Sequence, residues 1–336
     1  MMPLNIFYEE PNEDRWLPFD RYPRQVIRRL VRGKPRVGGQ KRVFLNLCAG
    51  LDRLGVSYKV NDYKYIQKHP EEIACIIGKP YVLDKISWKN PIIFGPSAFS
   101  HPYDDLNLLQ RLPVKKVLVP GEWMKKMWEP YYGYSVVAWP VGIDTDAWVP
   151  ASLEAKDIDI LLYDKILWEH DIYENELITP IKNLLEQKQL KVANIRYGFY
   201  KEQEFHSLLN RSKAMIFLCK HETQGIAYQQ TLSCGVPILA WDKSGFWDDP
   251  SFFPERVQFA PVSSVPYWDE RCGVKFMDIH EFPTKLEEFL DQLNRQVFYP
   301  RDYILENLTL EASAQWYIDI VKKVQSDIDS LTKNIT

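Results

Sequence analysis

Short apolar segments rich in β-branched residues alternate with helical or polar segments along two successive stretches of the chain. The first series is LNIFYEE, VSYKV, EEIACIIG, NPIIFGPS, VKKVLVP and SVVAWPVG, and the second is DIDILLY, LKVANIRYG, AMIFLC and PILAW. Strands that alternate with helices form parallel sheets covered by helices. This order predicts an α/β protein with two Rossmann-like domains.

The alternation lapses between the two series, over the polar segment TDAWVPASLEAKD at residues 145–157. A chain of 336 residues also exceeds the usual size of a single core. We therefore predict a first domain over 1–148, a second over 149–308, and a C-terminal helix within 309–336 that packs back towards the first domain. Helical spacing of apolar residues predicts helices near 174–187, 202–210, 283–292 and 310–328.

Composition and charge narrow the functional classes. The formal net charge of -3 gives no global field that would favour nucleic acid or a membrane. The five cysteines are widely spaced without a CxxC pair, which favours a reducing compartment over a disulfide framework or a zinc site. We see no signal-peptide pattern and no apolar run of about 20 residues, so we expect a cytoplasmic protein. The 11 Trp and 19 Tyr favour aromatic-rich cores and domain seams over sugar-stacking surfaces.

A charged cluster follows one of the predicted buried strands. The segment HETQGIAYQQTLSCGVPILAWD comes directly after AMIFLC, so Lys220, His221 and Glu222 lie at the carboxyl end of that strand. Ligands of open parallel sheets bind beyond the carboxyl ends of the strands. The N-terminus of the following helix favours an anion such as a diphosphate, and the Glu222 carboxylate suits sugar hydroxyls.

The same segment resembles the E-x7-E signature of retaining GT-B glycosyltransferases of the family 4 type, S-x-x-E-G-F-G-L-P-x-L-E-A-M-A-C-G-x-P. The register holds without a gap over the sixteen positions from Glu222 to Pro237. Cys219 stands where the motif has Ser, and Gln230 stands where it has the second Glu. The resemblance implies a GT-B fold, in which two Rossmann-like domains face each other across a cleft.

The resemblance also implies roles for individual residues. Glu222 would be the catalytic-site carboxylate that contacts the donor sugar, and Gln230 would hold the ribose hydroxyls with a neutral amide in place of a carboxylate. The residues between them that would line the donor are Thr223, Gln224 and Gly225.

Two further segments fall on the family's pattern in the expected order. RVGGQKRVFLNLCAGLDRLGVSYKV resembles the segment in which a Gly-Gly turn opens a helix beside the donor diphosphate, which would make Gly38 and Gly39 donor-binding. GIDTDAWVP resembles the exit from the first domain. Its Asp144-Thr145-Asp146 has the D-x-D form of a GT-A metal site, but its position on the exit loop argues against that role. We therefore expect no metal and no other cofactor.

The remaining candidates are single residues. The family carries an Arg and a Lys after the first strand of the second domain; Lys165 is the best available cation, and the Arg is not evident. Arg196 and Lys220 are both candidates to replace it. His101, after a strand of the first domain, matches the position of a histidine that faces the sugar in many family members, although a lone histidine also has ordinary structural roles.

A basic segment lies near the start of the chain. Residues 21–42 contain seven Arg and two Lys and no acidic residue, and Arg24, Arg28, Arg29 and Arg32 form its centre. In this family the corresponding loop helps to form the acceptor side of the cleft. The candidate partners are an anionic acceptor and anionic lipid headgroups at a membrane surface. Nucleic acid is the least favoured partner, because no DNA- or RNA-binding motif accompanies the patch.

Taken together, the sequence predicts a glycosyltransferase. It would move a sugar from a nucleoside diphosphate sugar to a hydroxyl of a glycan, a lipid-linked or another acceptor, with retention at the anomeric carbon. Two alternatives stay open: a non-catalytic sugar-nucleotide-binding protein of the same fold, motivated by Gln230, and a sugar-nucleotide epimerase of the same architecture. A redox enzyme is disfavoured, because no G-x-G-x-x-G follows a strand.

Overall fold

The structure is a computed structural model that describes residues 3–10, 38–96 and 98–333. Arg24, Arg28, Arg29 and Arg32 of the predicted basic patch lie outside the described residues. None of the helices in the described ranges is long and apolar enough to cross a membrane.

Six parallel strands form the first sheet, in the order β2–β1–β3–β4–β5–β6. They are β1 (Leu4–Phe7), β2 (Tyr58–Val60), β3 (Ala74–Ile76), β4 (Ile92–Phe94), β5 (Val114–Val119) and β6 (Val136–Ala138). Every residue of β1, β3 and β4 is buried, as expected for parallel strands covered on both faces.

Five parallel strands form the second sheet, in the order β11–β10–β9–β7–β8. They are β7 (Ile158–Asp164), β8 (Val192–Arg196), β9 (Ser212–Leu218), β10 (Ile238–Trp241) and β11 (Gly273–Phe276). We call each sheet with its covering helices a domain. The predicted α/β class with two Rossmann-like domains is confirmed.

Helices cover both sheets. They are α1 (Gly39–Arg53), α2 (Tyr63–Lys68), α3 (Leu108–Arg111), α4 (Glu122–Tyr132), α5 (His170–Tyr173), α6 (Thr179–Gln187), α7 (Glu202–Arg211), α8 (Ile226–Ser233), α9 (Phe282–Asn294), α10 (Pro300–Asn307) and α11 (Leu310–Lys333). The helix predicted over 174–187 is interrupted, because a π-helical segment, Glu174–Ile178, joins α5 to α6. Pro180 in the first turn of α6 has no N–H to donate back to the preceding turn, which favours this irregularity.

The C-terminal helix α11 returns to the first domain, as the sequence predicts. It packs against α1 so closely that a side chain at Gly50 would overlap the carbonyl oxygen of Leu310. The Ser313 hydroxyl donates to the carbonyl of Pro140 at 2.7 Å, and the indole of Trp139 donates to the carbonyl of Ser313 at 2.9 Å. The chain therefore crosses between the domains twice.

A second-domain segment also packs into the first domain. This segment, residues 243–262, lies between β10 and β11 and is here called the strap. Its side chains Trp247, Phe252, Val257 and Val262 are buried in the hydrophobic core that includes β4, β5 and α4. Backbone hydrogen bonds from Trp247 to Phe259 at 2.8 Å and from Val262 to Gly245 at 3.0 Å hold the strap in shape. Separation of the two domains would expose this apolar surface to water.

Candidate active site

The candidate site lies where β7 and β9 end at the same edge of the second sheet. The two strands are paired in parallel, with Asp164 opposite Leu218. Lys165 follows β7 directly, and its backbone N–H donates to the carbonyl of Leu218 at 2.8 Å. Glu222 follows β9 four residues after the strand ends, and its N–H donates to the carbonyl of Ser263 at 2.9 Å. The sheet therefore brings Lys165 and Glu222 together.

The Lys165 ammonium forms an ion pair with the Glu222 carboxylate. The two side chains are mostly buried, 15% and 11% exposed. Burial alone would lower the pKa of Lys165, but attraction to Glu222 outweighs it and holds that pKa above its ordinary value. The ammonium also lies 4.6 Å from the centre of the Tyr197 ring. Lys165 is therefore a charged lysine at the carboxyl-terminal edge of the second sheet, next to the Glu222 carboxylate.

The loop from Glu222 to Gly225 leads into α8. The second Glu222 oxygen accepts a hydrogen bond from the N–H of Thr223 at 3.1 Å, which fixes the carboxylate against its own backbone. Gly225 has a φ of 76° and comes so close to the Tyr228 ring that any side chain would overlap it. Glycine is therefore required here by the fold itself, whether or not a ligand approaches.

The two glutamines of the predicted donor site have different surroundings. The Gln224 amide accepts from the N–H of Val141 at 3.1 Å and donates to the Val141 carbonyl at 3.4 Å, so it joins the second domain to the first. Gln230 lies on α8 and is only 7% exposed, but its amide makes no hydrogen bond among the described residues. A mostly buried amide without a partner in the described part of the chain is available to a ligand.

The N-terminus of α1 faces this edge of the second sheet. Arg42, in the first turn of α1, forms an ion pair with Glu202 at the start of α7, which follows β8. Gly38 and Gly39 are exposed, and a side chain at either would meet nothing within 4 Å. The packing within the described residues does not require these two glycines, and Gly38, the N-cap residue, has no side chain with which to cap the helix. The first backbone N–H groups of α1 therefore point at a region that a ligand could occupy.

The two candidates for the missing cation are already engaged. Arg196 ends β8, and its Nε lies 3.7 Å from Asp164, which also lies 2.6 Å from Nε2 of His170. Lys220 is buried and contacts Glu169 at 2.7 Å and Asp248 at 2.5 Å.

No hydrogen bond or ion pair joins His101 to Lys165 or Glu222 within the described part of the chain. His101 is completely buried in a cluster of aromatic rings, stacked on Tyr103 at 5.1 Å and on Trp247 of the strap at 5.6 Å, with the Tyr131 edge at 4.9 Å. Tyr131 is in the last turn of α4, whereas Trp123 in its first turn contacts Glu222. Those positions are about 12 Å apart along the helix axis. The structure therefore places this histidine under the strap, near the opposite end of α4 from Trp123.

The two carboxylates of the D-x-D segment form ion pairs with an arginine. Asp144 and Asp146 bind the Arg53 guanidinium at 2.6 and 3.1 Å, and Glu311 binds it at 3.2 Å. This cluster joins α1, the exit loop and α11. Within the described ranges, no group of three His, Cys, Asp or Glu side chains is arranged to hold a metal ion.

Contacts across the domain seam were not predicted from the sequence. The indole of Trp123 donates to the carbonyl oxygen of Glu222 at 3.0 Å, and the Tyr267 hydroxyl donates to the carbonyl of Pro120. Nothing in the local sequence marks these two aromatic residues, and only the high aromatic content indicated that such seams exist.

Comparison with solved structures finds this fold over nearly the whole chain. A sucrose-phosphate synthase from Thermosynechococcus elongatus gives a TM-score of 0.58 at 10% identity, over 97% of this chain and 99% of that one. The apo form of the lipopolysaccharide outer core galactosyltransferase WaaB gives 0.54 at 11% identity, over 96% and 99%. AviGT4, a glycosyltransferase of avilamycin A biosynthesis, gives 0.53 at 11% identity, over 97% and 99%. The chain therefore has the GT-B fold, which confirms that prediction.

Comparison by sequence adds nothing further. No family model matches the chain, and no curated protein sequence matches it. At identities near 10% the structural likeness establishes the fold, and neither the non-catalytic nor the epimerase alternative is favoured by it.

Proposed function

We propose that this chain is a glycosyltransferase that moves a sugar from a nucleoside diphosphate sugar to an acceptor hydroxyl. The observation that carries the proposal is the Lys165–Glu222 pair at the carboxyl ends of two adjacent strands, on the edge of the sheet that the N-terminus of α1 faces. A cation and the backbone N–H groups of a helix N-terminus suit a diphosphate, and a neighbouring carboxylate suits the hydroxyls of the attached sugar.

Each group has a role in the proposed reaction. The diphosphate lies between the α1 N-terminus at Gly38 and Gly39 and the Lys165 ammonium, which together stabilise the negative charge that develops as it leaves. Glu222 accepts hydrogen bonds from the sugar hydroxyls, and the Gln230 amide binds the ribose diol. His101 is not part of this proposed site, because it is buried among aromatic rings beneath the strap.

Two further features of the reaction, its stereochemistry and its independence of metal, are also proposed. Retention at the anomeric carbon is proposed from the resemblance of residues 219–237 to the motif of retaining enzymes. Metal independence is proposed because helix N–H groups and Lys165 supply positive charge where the diphosphate would lie. Transfer that continues unchanged in EDTA would support metal independence, and transfer that requires added divalent cation would contradict it.

The acceptor is proposed to be a glycan, a lipid-linked or another hydroxyl compound that carries negative charge. The support is the charge of residues 21–42, which include nine cationic residues and no acidic residue. Most of these residues lie outside the described part of the chain. The same charge would favour peripheral contact with a membrane. Cosedimentation with anionic but not neutral vesicles, lost when Arg24, Arg28, Arg29 and Arg32 are changed to Gln, would support that contact.

The experiment that tests the central proposal combines binding with product analysis. Thermal unfolding is followed against a panel of nucleoside diphosphates and their sugar conjugates; a ligand at about 100 times its dissociation constant adds about 2.7 kcal/mol of stability. We expect one base to be preferred, with Glu222→Ala losing only the extra stabilisation from the sugar. If no nucleotide shifts the wild-type transition, the donor-site assignment is wrong.

Product analysis separates the alternatives that bind the same ligand. Incubation of the preferred donor with a panel of hydroxyl acceptors is followed by NMR of the anomeric proton. A glycosyltransferase yields a new glycoside, an epimerase yields an altered free nucleotide sugar, and a non-catalytic binding protein yields neither.

A further inference from the structure

The loop that carries Glu222 is held from the first domain as well as from its own. Trp123, in the first turn of α4, donates its indole N–H to the Glu222 backbone carbonyl at 3.0 Å. The backbone of Gly121, just before that helix, lies close enough to Thr223 that an added side chain carbon would be 3.4 Å from the Thr223 carbonyl oxygen. The backbone that directly follows the proposed sugar-binding side chain is therefore held by, and lies close to, the other domain.

Gln224 makes a further cross-domain contact of this loop. Its amide pairs with both the N–H and the carbonyl of Val141, just as a neighbouring peptide group would. Gln229 of α8 supports it from behind: its amide N–H donates to the Gln224 carbonyl at 2.7 Å, and its oxygen lies 3.2 Å from the Gln224 amide nitrogen. The motif that this segment resembles has Phe at position 224, which could not make this pairing.

These contacts matter because they hold the loop in place without involving the Glu222 carboxylate. The Glu222 side chain is already oriented by the Thr223 N–H and by Lys165. The position of the Glu222 backbone is set by Ser263 from its own domain and by Trp123 from the other. Since hydrogen bonds act over short distances, the first-domain contribution exists only while the two domains are closed.

We infer that Trp123 and Gln224 are positioning residues that couple domain closure to the placement of the Glu222 carboxylate. The inference rests on the proposed function, in which Glu222 contacts the donor sugar. It also reassigns Gln224: its amide serves the Val141 backbone and does not contact the donor. A misplacement of about 1 Å at a reacting centre lowers turnover by up to about a hundredfold, so two backbone anchors are enough to affect catalysis.

The test compares Trp123→Phe and Gln224→Met with a matched control, Trp128→Phe. Trp128 is on the same helix and fully buried in the same core, but its indole N–H has no hydrogen-bond partner among the described residues. The control therefore loses the same ring volume without losing a cross-domain bond. Turnover, donor KM, nucleoside diphosphate affinity and hydrogen exchange of residues 219–225 are measured for each protein.

We expect Trp123→Phe and Gln224→Met each to lower kcat by about tenfold or more, with nucleoside diphosphate affinity within about twofold of wild type. Exchange in 219–225 should be faster in both variants and unchanged in Trp128→Phe. The double variant should lose less than the product of the single losses, because both residues hold one loop. These results together would support the positioning role.

Other outcomes would overturn the inference. Equal losses of kcat in Trp123→Phe and Trp128→Phe would mean that only core packing matters. A raised donor KM in Gln224→Met with unchanged exchange would mean that Gln224 contacts the donor directly. If the wild-type protein transfers no sugar, the proposed function fails by itself, and the exchange measurement alone decides whether the two residues hold the loop; unchanged exchange would again overturn it.

Discussion

Lys165 and Glu222 form an ion pair although 57 positions separate them in the chain. They meet because β7 and β9 are parallel neighbours that end at one edge of the second sheet. Removal of both charges from water is costly, and their mutual attraction offsets that cost. A ligand with a negative diphosphate and several hydroxyl groups can satisfy both side chains at once, which is the physical basis for the donor site proposed above.

Loss of the Lys165 charge should weaken diphosphate binding specifically. We expect Lys165→Met to lower the affinity for a nucleoside diphosphate by about tenfold or more, since a charged hydrogen bond contributes about 1.5–3 kcal/mol. The measurement is isothermal titration calorimetry. Lys213→Met is the matched control, because Lys213 pairs with Asp159 at 2.7 Å at the opposite end of the same two strands. Equal effects of the two substitutions would contradict the assignment of Lys165.

Replacement of Gln230 by the glutamate of the family motif should change the affinity for a nucleoside diphosphate. A carboxylate accepts hydrogen bonds from a ribose diol more strongly than an amide does, so Gln230→Glu should tighten nucleoside diphosphate binding by about fivefold. A 2′-deoxynucleotide provides the control, because it lacks one of the two hydroxyls and should gain less. If both nucleotides gain equally, or neither does, Gln230 does not contact the ribose.

The strap makes the two domains mutually dependent. Trp247→Ala removes a buried side chain from the first-domain core, and we expect it to lower the free energy of unfolding by about 3–5 kcal/mol in urea denaturation. Trp316→Ala, at an exposed position of α11, should cost less than about 1 kcal/mol. Similar losses in the two variants would show that the strap does not contribute to the stability of the core.

Most of the fold could be predicted from the sequence because parallel strands are continuous apolar runs. The helices expected near 202–210 and 283–292 correspond to α7 and α9, within a few residues at each end. The strand β11 was not predicted, since its four residues include Lys275 and form no long apolar run. A local sequence pattern identifies strands and helices that bury a whole apolar face. It does not identify a short strand such as β11, which forms by pairing with its neighbour β10.

The candidate site was predictable only in part. Glu222 and Lys165 follow strands that the sequence identifies, so their approach follows from parallel topology. The cross-domain roles of Trp123 and Gln224 depend on how two domains meet, which no periodicity within either domain encodes. The position of His101 after a strand led to the prediction that it faces the sugar. In the structure this residue is covered by the strap, whose insertion between β10 and β11 the sequence does not reveal.

Burial of His101 predicts a distinct dependence of stability on pH. Burial lowers the pKa of His101 to about 4, whereas an exposed histidine has a pKa of about 6.5. As pH falls below 6.5, the unfolded chain binds a proton at this position and the folded chain does not. The contribution of the neutral histidine to stability is therefore fully present above pH 6.5 and is lost as pH falls towards 4.

His101→Gln isolates that contribution, because glutamine keeps an acceptor for the Tyr103 N–H, which His101 Nδ1 accepts at 3.2 Å, but does not titrate. Between pH 7 and pH 5 the wild-type protein should lose about 2 kcal/mol more stability than the variant. The measurement is urea unfolding at pH 7, 6 and 5, with all other titrating groups common to both proteins. Parallel stability curves would mean that His101 reaches water or a proton acceptor in the native state. A larger loss in wild type would show that the strap keeps this ring dry and neutral.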